Sequence, residues 1–184
     1  MCTLLCFFSY YDEKRRKGVD FMLKEINYDR KKALSYAQKW AYKRNKQYMN
    51  FENIGGDCTN YVSQCIYAGC RVMNYTPIYG WYYKNSYDRS PSWSGVEFIY
   101  NFLVNNKNVG PYAIETDINN IEPADIIQLG SFNNQFYHNV FINKIEKQKV
   151  FVSAHSIDSY MRPLDSYDFD KLKYIHIVGV RKVV

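Results

Sequence analysis

Apolar residues in the first half of the chain recur at intervals of three and four positions, which is the spacing of an amphipathic helix. The clearest stripe consists of Ala33, Tyr36, Ala37, Trp40 and Ala41, with several lysines between them. This stripe predicts a helix over residues 29–44. The same spacing predicts a second helix that begins at residue 57 and ends with Gly69 as its C-cap. A third helix is predicted over residues 96–104.

After Ala124 the pattern changes to an alternation of apolar and polar residues, which is typical of half-buried strands. Four strands are predicted, over residues 125–129, 136–143, 150–155 and 174–183. The stretch 71–95 has no period, and we expect a functional loop there. Helices followed by strands predict an α+β fold, with N-terminal helices packed on an antiparallel β-sheet. We assign the domain to residues 28–184 and treat residues 1–27 as a lead-in segment.

Length and charge narrow the class of protein. The 184 residues suffice for one domain with its own core, which we expect to be a monomer. The net charge of +6 is compatible with an anionic partner. The cations are scattered, however, and no zinc-finger or RNA-binding aromatic motif accompanies them, so we expect no nucleic-acid partner. The apolar run at residues 4–8 is too short to span a membrane and lacks a preceding basic region, which leaves the localisation open.

The five cysteines form neither a complete disulfide framework nor a metal motif. Their number is odd. The spacing of Cys58, Cys65 and Cys70 contains no CxxC pair and no histidine at ligand distance. We interpret Cys65 and Cys70 as small core residues. The sequence therefore predicts no metal site and no cofactor.

Cys58 is the strongest candidate for chemistry. It follows Gly55, Gly56 and Asp57 and begins the second predicted helix, where unpaired N–H groups favour the thiolate. The thiolate is the nucleophilic form of cysteine, and the N–H of the same residue can face a developing oxyanion. Asp57 is interpreted first as a helix cap and second as a substrate contact. Trp93 is another candidate for substrate binding.

Two histidines on predicted strands are candidates for the remaining catalytic groups. His138 is the candidate general base. His155 lies on the next strand and is the candidate third member, which would orient His138 across a hairpin that turns near residues 146–148. Asp158, three residues further on, is the alternative third member.

These residues resemble the bacterial putative amidase domain family, which is related to the NlpC-type and CHAP-type cell-wall peptidases with a papain-like core. The resemblance covers residues 28–184 and is most specific over residues 55–64. Weaker matches lie at residues 28–30, 92–94, 125–128, 138, 152–158, 162–164 and 175–177. Two positions depart from the family: Ala124 stands where glycine is common, and Asn139 stands where serine is common.

The resemblance implies a papain-like fold of the NlpC/CHAP type, with Cys58 as the nucleophile, His138 as the base and His155 in the third position. It also implies a hydrolase that cleaves an amide bond in peptidoglycan peptides through a thioester intermediate. One alternative is an acyltransferase or transpeptidase of the same fold. Another is a non-catalytic cell-wall binding module that uses the tyrosine-rich loop 75–93 on a glycan or peptide.

Overall fold

The computed structural model describes residues 22–184, so the apolar run at residues 4–8 lies outside the described part. The strands are β1 (Leu23–Ile26), β2 (Gly110–Thr116), β3 (Ile126–Gly130), β4 (Phe136–Glu146), β5 (Lys149–Ala154), β6 (Ser159–Pro163) and β7 (Lys171–Val183). The helices are α1 (Arg30–Trp40), α2 (Cys58–Cys70), α3 (Pro91–Ser94) and α4 (Val96–Asn105), with one 3₁₀ turn at Leu164–Ser166. No helix in this range combines the length and the apolar character that crossing a membrane requires.

All seven described strands form one antiparallel sheet. The order is β1-β7-β3-β4-β5-β6, and β2 also pairs with β7. The long strand β7 is therefore the partner of β1, β2 and β3. The predicted α+β class, with helices on an antiparallel sheet, is confirmed.

The four predicted strands and three predicted helices are all present, with ends that differ by a few residues. Three strands were not predicted: β1, β2 and the short strand β6 that pairs with β5. β1 lies in the stretch assigned as a lead-in, yet Leu23 pairs with Val183 in the sheet. β2 follows α4 and pairs with β7 over most of its length.

The two faces of the sheet are buried in different ways. The larger apolar cluster joins α1, α2 and α4 to the sheet residues Ile126, Phe141 and Ile175. The smaller cluster contains the alternate sheet residues, such as Ile127 and Val140, together with Leu164 of the 3₁₀ turn. Side chains alternate between the two faces along a strand. An offset of one residue therefore decides whether a side chain faces the helices.

The helix α2 is the central helix of the larger cluster, and eleven of its thirteen residues are buried. Gly69, predicted as its C-cap, lies inside the last turn instead. A Cβ at this position would stand 2.4 Å from the Tyr28 ring, so the close approach of that ring requires glycine. Arg71 takes the left-handed conformation at the helix end, with φ 56°.

Candidate active site

The chain enters α2 through a turn that only glycine adopts easily. Gly55 and Gly56 both have positive φ, 94° and 102°, in a region that L-residues with a side chain disfavour. Asp57 follows at the N-cap position, and its backbone N–H donates to the Ser156 hydroxyl over 3.0 Å. The Gly-Gly pair thus fixes the direction in which Cys58 begins the helix.

The Cys58 thiol is enclosed, with 6% of the residue exposed. The Thr59 hydroxyl lies 3.8 Å from the sulfur, and the backbone N–H of Asn139 also faces it. Burial raises the pKa of the Cys58 thiol, and the contacts with Asn139 and Thr59 offset only part of that increase. The resting group is therefore a neutral thiol, whereas its place at a helix start alone predicted a thiolate.

Hydrogen bonds between side chains hold Asn139 next to the Cys58 sulfur. The Asn139 amide donates to the Thr59 hydroxyl over 2.8 Å, and the Asn139 carbonyl accepts from Gln128 over 3.0 Å. Gln128 also donates to the Val96 carbonyl at the start of α4 over 2.7 Å. Sequence reasoning noted Asn139 only as a departure from the family's serine and did not identify Gln128. The sign available in the sequence was that Gln128 and Asn139 are amide residues on two neighbouring predicted strands.

His138 directly precedes Asn139 in β4, but its side chain points to a different environment. It pairs with Leu129, and the register shift beside this pair leaves Tyr137 as an extra residue. The His138 ring lies 6.0 Å from the ring of Tyr167, which packs against the smaller cluster. Burial, helped by the positive charge of Arg162, lowers the pKa of His138 from 6.5 to about 4. The imidazole is therefore neutral at neutral pH, as a general base must be.

His155 lies directly behind the start of α2. Its Nδ1 atom is 2.7 Å from Asp57 Oδ2, and its Nε2 atom is 2.9 Å from the Trp40 carbonyl oxygen. The ring stacks on Tyr61 of α2 at 4.1 Å and is almost completely buried. Both ring nitrogens lie against oxygen atoms, which holds the ring between the start of α2 and the end of α1.

The register of the β4–β5 hairpin separates the two histidines. The predicted hairpin is present, with Lys147 and Gln148 at its turn. Phe141 pairs with Ser153, which places His155 on the helix-facing side of the sheet. His138 belongs to the other set of alternate residues. The structure therefore joins His155 to Asp57, and in residues 22–184 no hydrogen bond connects either His138 and His155 or His138 and Cys58.

Asp158, the alternative third member, is paired with Arg44. The guanidinium donates to both carboxylate oxygens, over 2.7 and 2.8 Å. Although burial raises the pKa of Asp158, the hydrogen bonds and the charge of Arg44 bring it below the usual value. Arg44 also lies 3.2 Å from Glu52 and 3.4 Å from Asp57. These ion pairs of Arg44 stabilise the loop before α2.

The two predicted substrate contacts are interior residues. The Asp57 carboxylate accepts from the Phe51 N–H and from the Asn60 amide, over 3.0 and 2.8 Å. It makes no cap bond to the helix. Trp93 is fully buried, and its indole N–H donates to Asn60 over 2.9 Å. Because both side chains are enclosed and hydrogen-bonded to the protein, they hold the helix start and present no free polar atom to a substrate.

Cys65 and Cys70 lie in the larger cluster, as predicted, and both are free thiols. His176 lies on β7, where its Nδ1 atom is 2.7 Å from Asp125. Across residues 22–184, no group of three or more His, Cys, Asp or Glu side chains is arranged to hold a metal ion.

Comparison with known proteins defines the family. Residues 27–178 match the family described as "Putative amidase domain", and the chain belongs to this family. It is 33% identical over 142 residues to the uncharacterized protein YhbB of Bacillus subtilis (strain 168). The aligned region covers 74% of this chain and 44% of YhbB, so the chain spans less than half the length of that relative. No solved structure matches the chain.

Proposed function

We propose that the protein is a cysteine-dependent hydrolase that cleaves an amide bond in the peptides of bacterial peptidoglycan. Cys58 is the nucleophile and His138 the general base. One observation carries the proposal. The Cys58 thiol stands at the first residue of a buried helix, and its sulfur faces the N–H of Asn139, the residue that follows His138 in β4.

The electrostatics of the two groups suit a mechanism in which the proton moves during attack. Burial raises the pKa of Cys58 and lowers that of His138, so both groups are neutral at rest. Cys58 then gives its proton to His138 as the sulfur attacks the carbonyl carbon. His138 returns the proton to the departing amine, and a thioester remains on Cys58. A water molecule, deprotonated by His138, hydrolyses the thioester and restores the thiol.

Backbone donors at the start of α2 serve the oxyanion in this proposal. The N–H of Cys58 belongs to the first turn of the helix, where backbone donors lack intrahelical partners. Such donors stabilise the negative oxygen of a tetrahedral intermediate. Asp57 and His155 are positioning residues, because they act on Cys58 by holding the turn that precedes it.

The His138 ring must reach the sulfur for this chemistry. Because the ring lies on the opposite face of the sheet from α2, side-chain rotation is not enough, and the start of β4 must also shift at the extra residue Tyr137. The ring makes no side-chain hydrogen bond within residues 22–184 that would oppose this shift. Catalytic hydrogen bonds are often absent or long in the free enzyme and form with substrate. Only His138 and Cys58 react in this proposal, since His155 and Asp158 are bonded to other groups.

The experiment uses the full chain with purified peptidoglycan and soluble muropeptides, and mass spectrometry of the released fragments. We expect fragments whose new amine and carboxylate ends identify the broken bond. Cys58→Ala should abolish release, and the matched variant Cys65→Ala should retain it. His138→Gln should lower the rate by roughly 10²–10⁴-fold, the usual contribution of a general base, while His176→Gln should have little effect.

Three results would overturn the proposal. Release that survives Cys58→Ala would exclude the nucleophile, and equal losses in the two histidine variants would exclude His138 as the base. Amide adducts formed in preference to free acids, on addition of an amine acceptor, would identify an acyltransferase instead.

A further inference from the structure

A concave site lies along α4. It is a cleft of about 500 Å³, formed by the loop that precedes α3, by α4 and by the residues that follow α4. Its volume is within the usual range of small-molecule sites, about 300–1,000 Å³. Cys58, His138 and His155 are not among its lining residues. The cleft is therefore separate from the candidate active site.

Amide groups dominate the polar lining, and several have hydrogen-bonding capacity to spare. Asn101 and Asn108 line the cleft, and in residues 22–184 neither side-chain amide has a protein partner. Asn105 donates to the Asn101 backbone carbonyl over 2.9 Å, which leaves the Asn105 side-chain oxygen available. Each free amide offers both a donor and an acceptor. Such groups match hydroxyls, which also donate and accept.

Two aromatic rings in the lining are exposed. Tyr79 is 82% exposed and Phe98 is 57% exposed. Tyr79 is carried by a fixed turn, because Asn74 and Trp81 exchange backbone hydrogen bonds of 2.8 and 2.9 Å across it. The turn also needs Gly80, where a Cβ would lie 2.2 Å from the Asn74 carbonyl oxygen. The Tyr79 ring is therefore exposed to solvent on a turn that two backbone hydrogen bonds hold in place.

The charge of the cleft is low. Lys107 is the one charged residue among those that line it, and the lining contains no carboxylate. An anionic polymer or nucleic acid would require several cations. Exposed aromatic faces beside free amides and hydroxyls suit a ligand with an apolar ring face and a rim of neutral hydroxyls. A pyranose sugar has this combination.

We propose that this cleft binds a neutral saccharide, with the ring of Tyr79 or Phe98 against the apolar face of a sugar. The amides of Asn101, Asn105 and Asn108 bond to its hydroxyl or acetamido groups. The site does not depend on the chemistry of Cys58. It gives the protein a glycan-binding function that is separate from amide hydrolysis.

The test uses the full chain and titrates it with chitotriose and, in parallel, with maltotriose, followed by isothermal calorimetry and by protein NMR shifts. We expect at least one trisaccharide to bind, with shifts confined to residues around the cleft. Tyr79→Ala and Asn101→Ala should each weaken binding, the first by roughly tenfold or more. Both side chains are exposed, so circular dichroism should show an unchanged fold.

Matched controls separate this site from the hydrolase. Tyr87 is 99% exposed and does not line the cleft, so Tyr87→Ala should bind like the parent. Cys58→Ala should also bind normally, even where it abolishes hydrolysis. Absence of binding for both trisaccharides at millimolar concentration would overturn the saccharide site. Equal weakening by Tyr79→Ala and Tyr87→Ala would also overturn it.

Discussion

The Nδ1 atom of His155 lies 2.7 Å from the Oδ2 atom of Asp57, so the residue that follows β5 is bonded to the residue that precedes Cys58. The contact is buried on both sides, with relative exposures of 1% for His155 and 0% for Asp57. It ties the sheet to the turn from which α2 begins. The position of the candidate nucleophile therefore depends on a buried contact that takes no direct part in the proposed reaction.

Breaking this pair from one side should destabilise the protein. His155→Phe keeps a ring that can stack on Tyr61 but removes the nearest partner of Asp57 Oδ2, which is then left with Arg44 at 3.4 Å. A buried acceptor that loses a hydrogen-bond partner typically costs about 1–3 kcal/mol, so we expect a loss of that order in the free energy of unfolding in urea. The double variant Asp57→Asn with His155→Phe should lose less than the sum of the single variants. Strict additivity would show that the two groups are not coupled.

Asn139 and Asn143 both lie on β4 and allow a matched comparison of two substitutions. Asn139 has partners for both its amide nitrogen and its oxygen, whereas both polar atoms of the Asn143 side chain are buried without a hydrogen-bond partner. Asn139→Leu should cost roughly 1–3 kcal/mol, because Thr59 and Gln128 each lose one buried hydrogen bond, although Gln128 keeps its bond to Val96. Asn143→Leu removes two unsatisfied groups and should be neutral or stabilising. Urea unfolding of both variants measures the difference, and equal losses would contradict the assignment.

The stability of the protein should fall in mild acid because of His138. Its pKa is about 4 in the folded protein and 6.5 when unperturbed, so the unfolded chain binds more protons between these values. Folding stability is therefore fully present above pH 6.5 and is lost as the pH falls toward 4. The loss assigned to this group is on the order of 3 kcal/mol. His138→Gln should flatten this part of the curve of unfolding free energy against pH, and an unchanged curve would refute the prediction.

The three described cysteines should differ in their reaction with iodoacetamide. Burial raises the pKa of each, to about 12 for Cys70 and well above the ordinary value for Cys65. The contacts of Cys58 with Asn139 and Thr59 offset part of its shift. We expect Cys58 to react first in the native protein, at a rate that still rises above pH 9. Peptide mapping by mass spectrometry checks the order, and modification of Cys65 or Cys70 before Cys58 would contradict it.

Periodicity was enough to predict the main elements but not their contacts. The stripe from Ala33 to Ala41 and the alternation along β4 are local patterns, and both correspond to observed elements. The relation between His138 and His155 depends on register, which is set by pairing such as Phe141 with Ser153 and by the extra residue Tyr137. A shift of one position moves a side chain to the opposite face. Nothing in the residue types alone defines that shift.

The two departures from the family differ in physical meaning. Ala124 has a φ of 76°, a conformation that glycine adopts without strain, which explains why glycine is common there. The replacement of glycine by alanine at this position therefore affects the backbone conformation. Asn139 instead makes side-chain bonds beside the thiol, so its departure changes the site. Only the folded chain distinguishes the two cases.

The pairing of three strands with β7 has a consequence for the order of folding during synthesis. β1, β2 and β3 all hydrogen-bond to β7, which is the last of the described strands to be translated. Until residues 171–183 emerge from the ribosome, these three strands lack that partner, and non-local pairing of this kind is slow to form. A nascent chain that stops before residue 171 should remain sensitive to protease and dependent on chaperones, even though it already contains Cys58, His138 and His155.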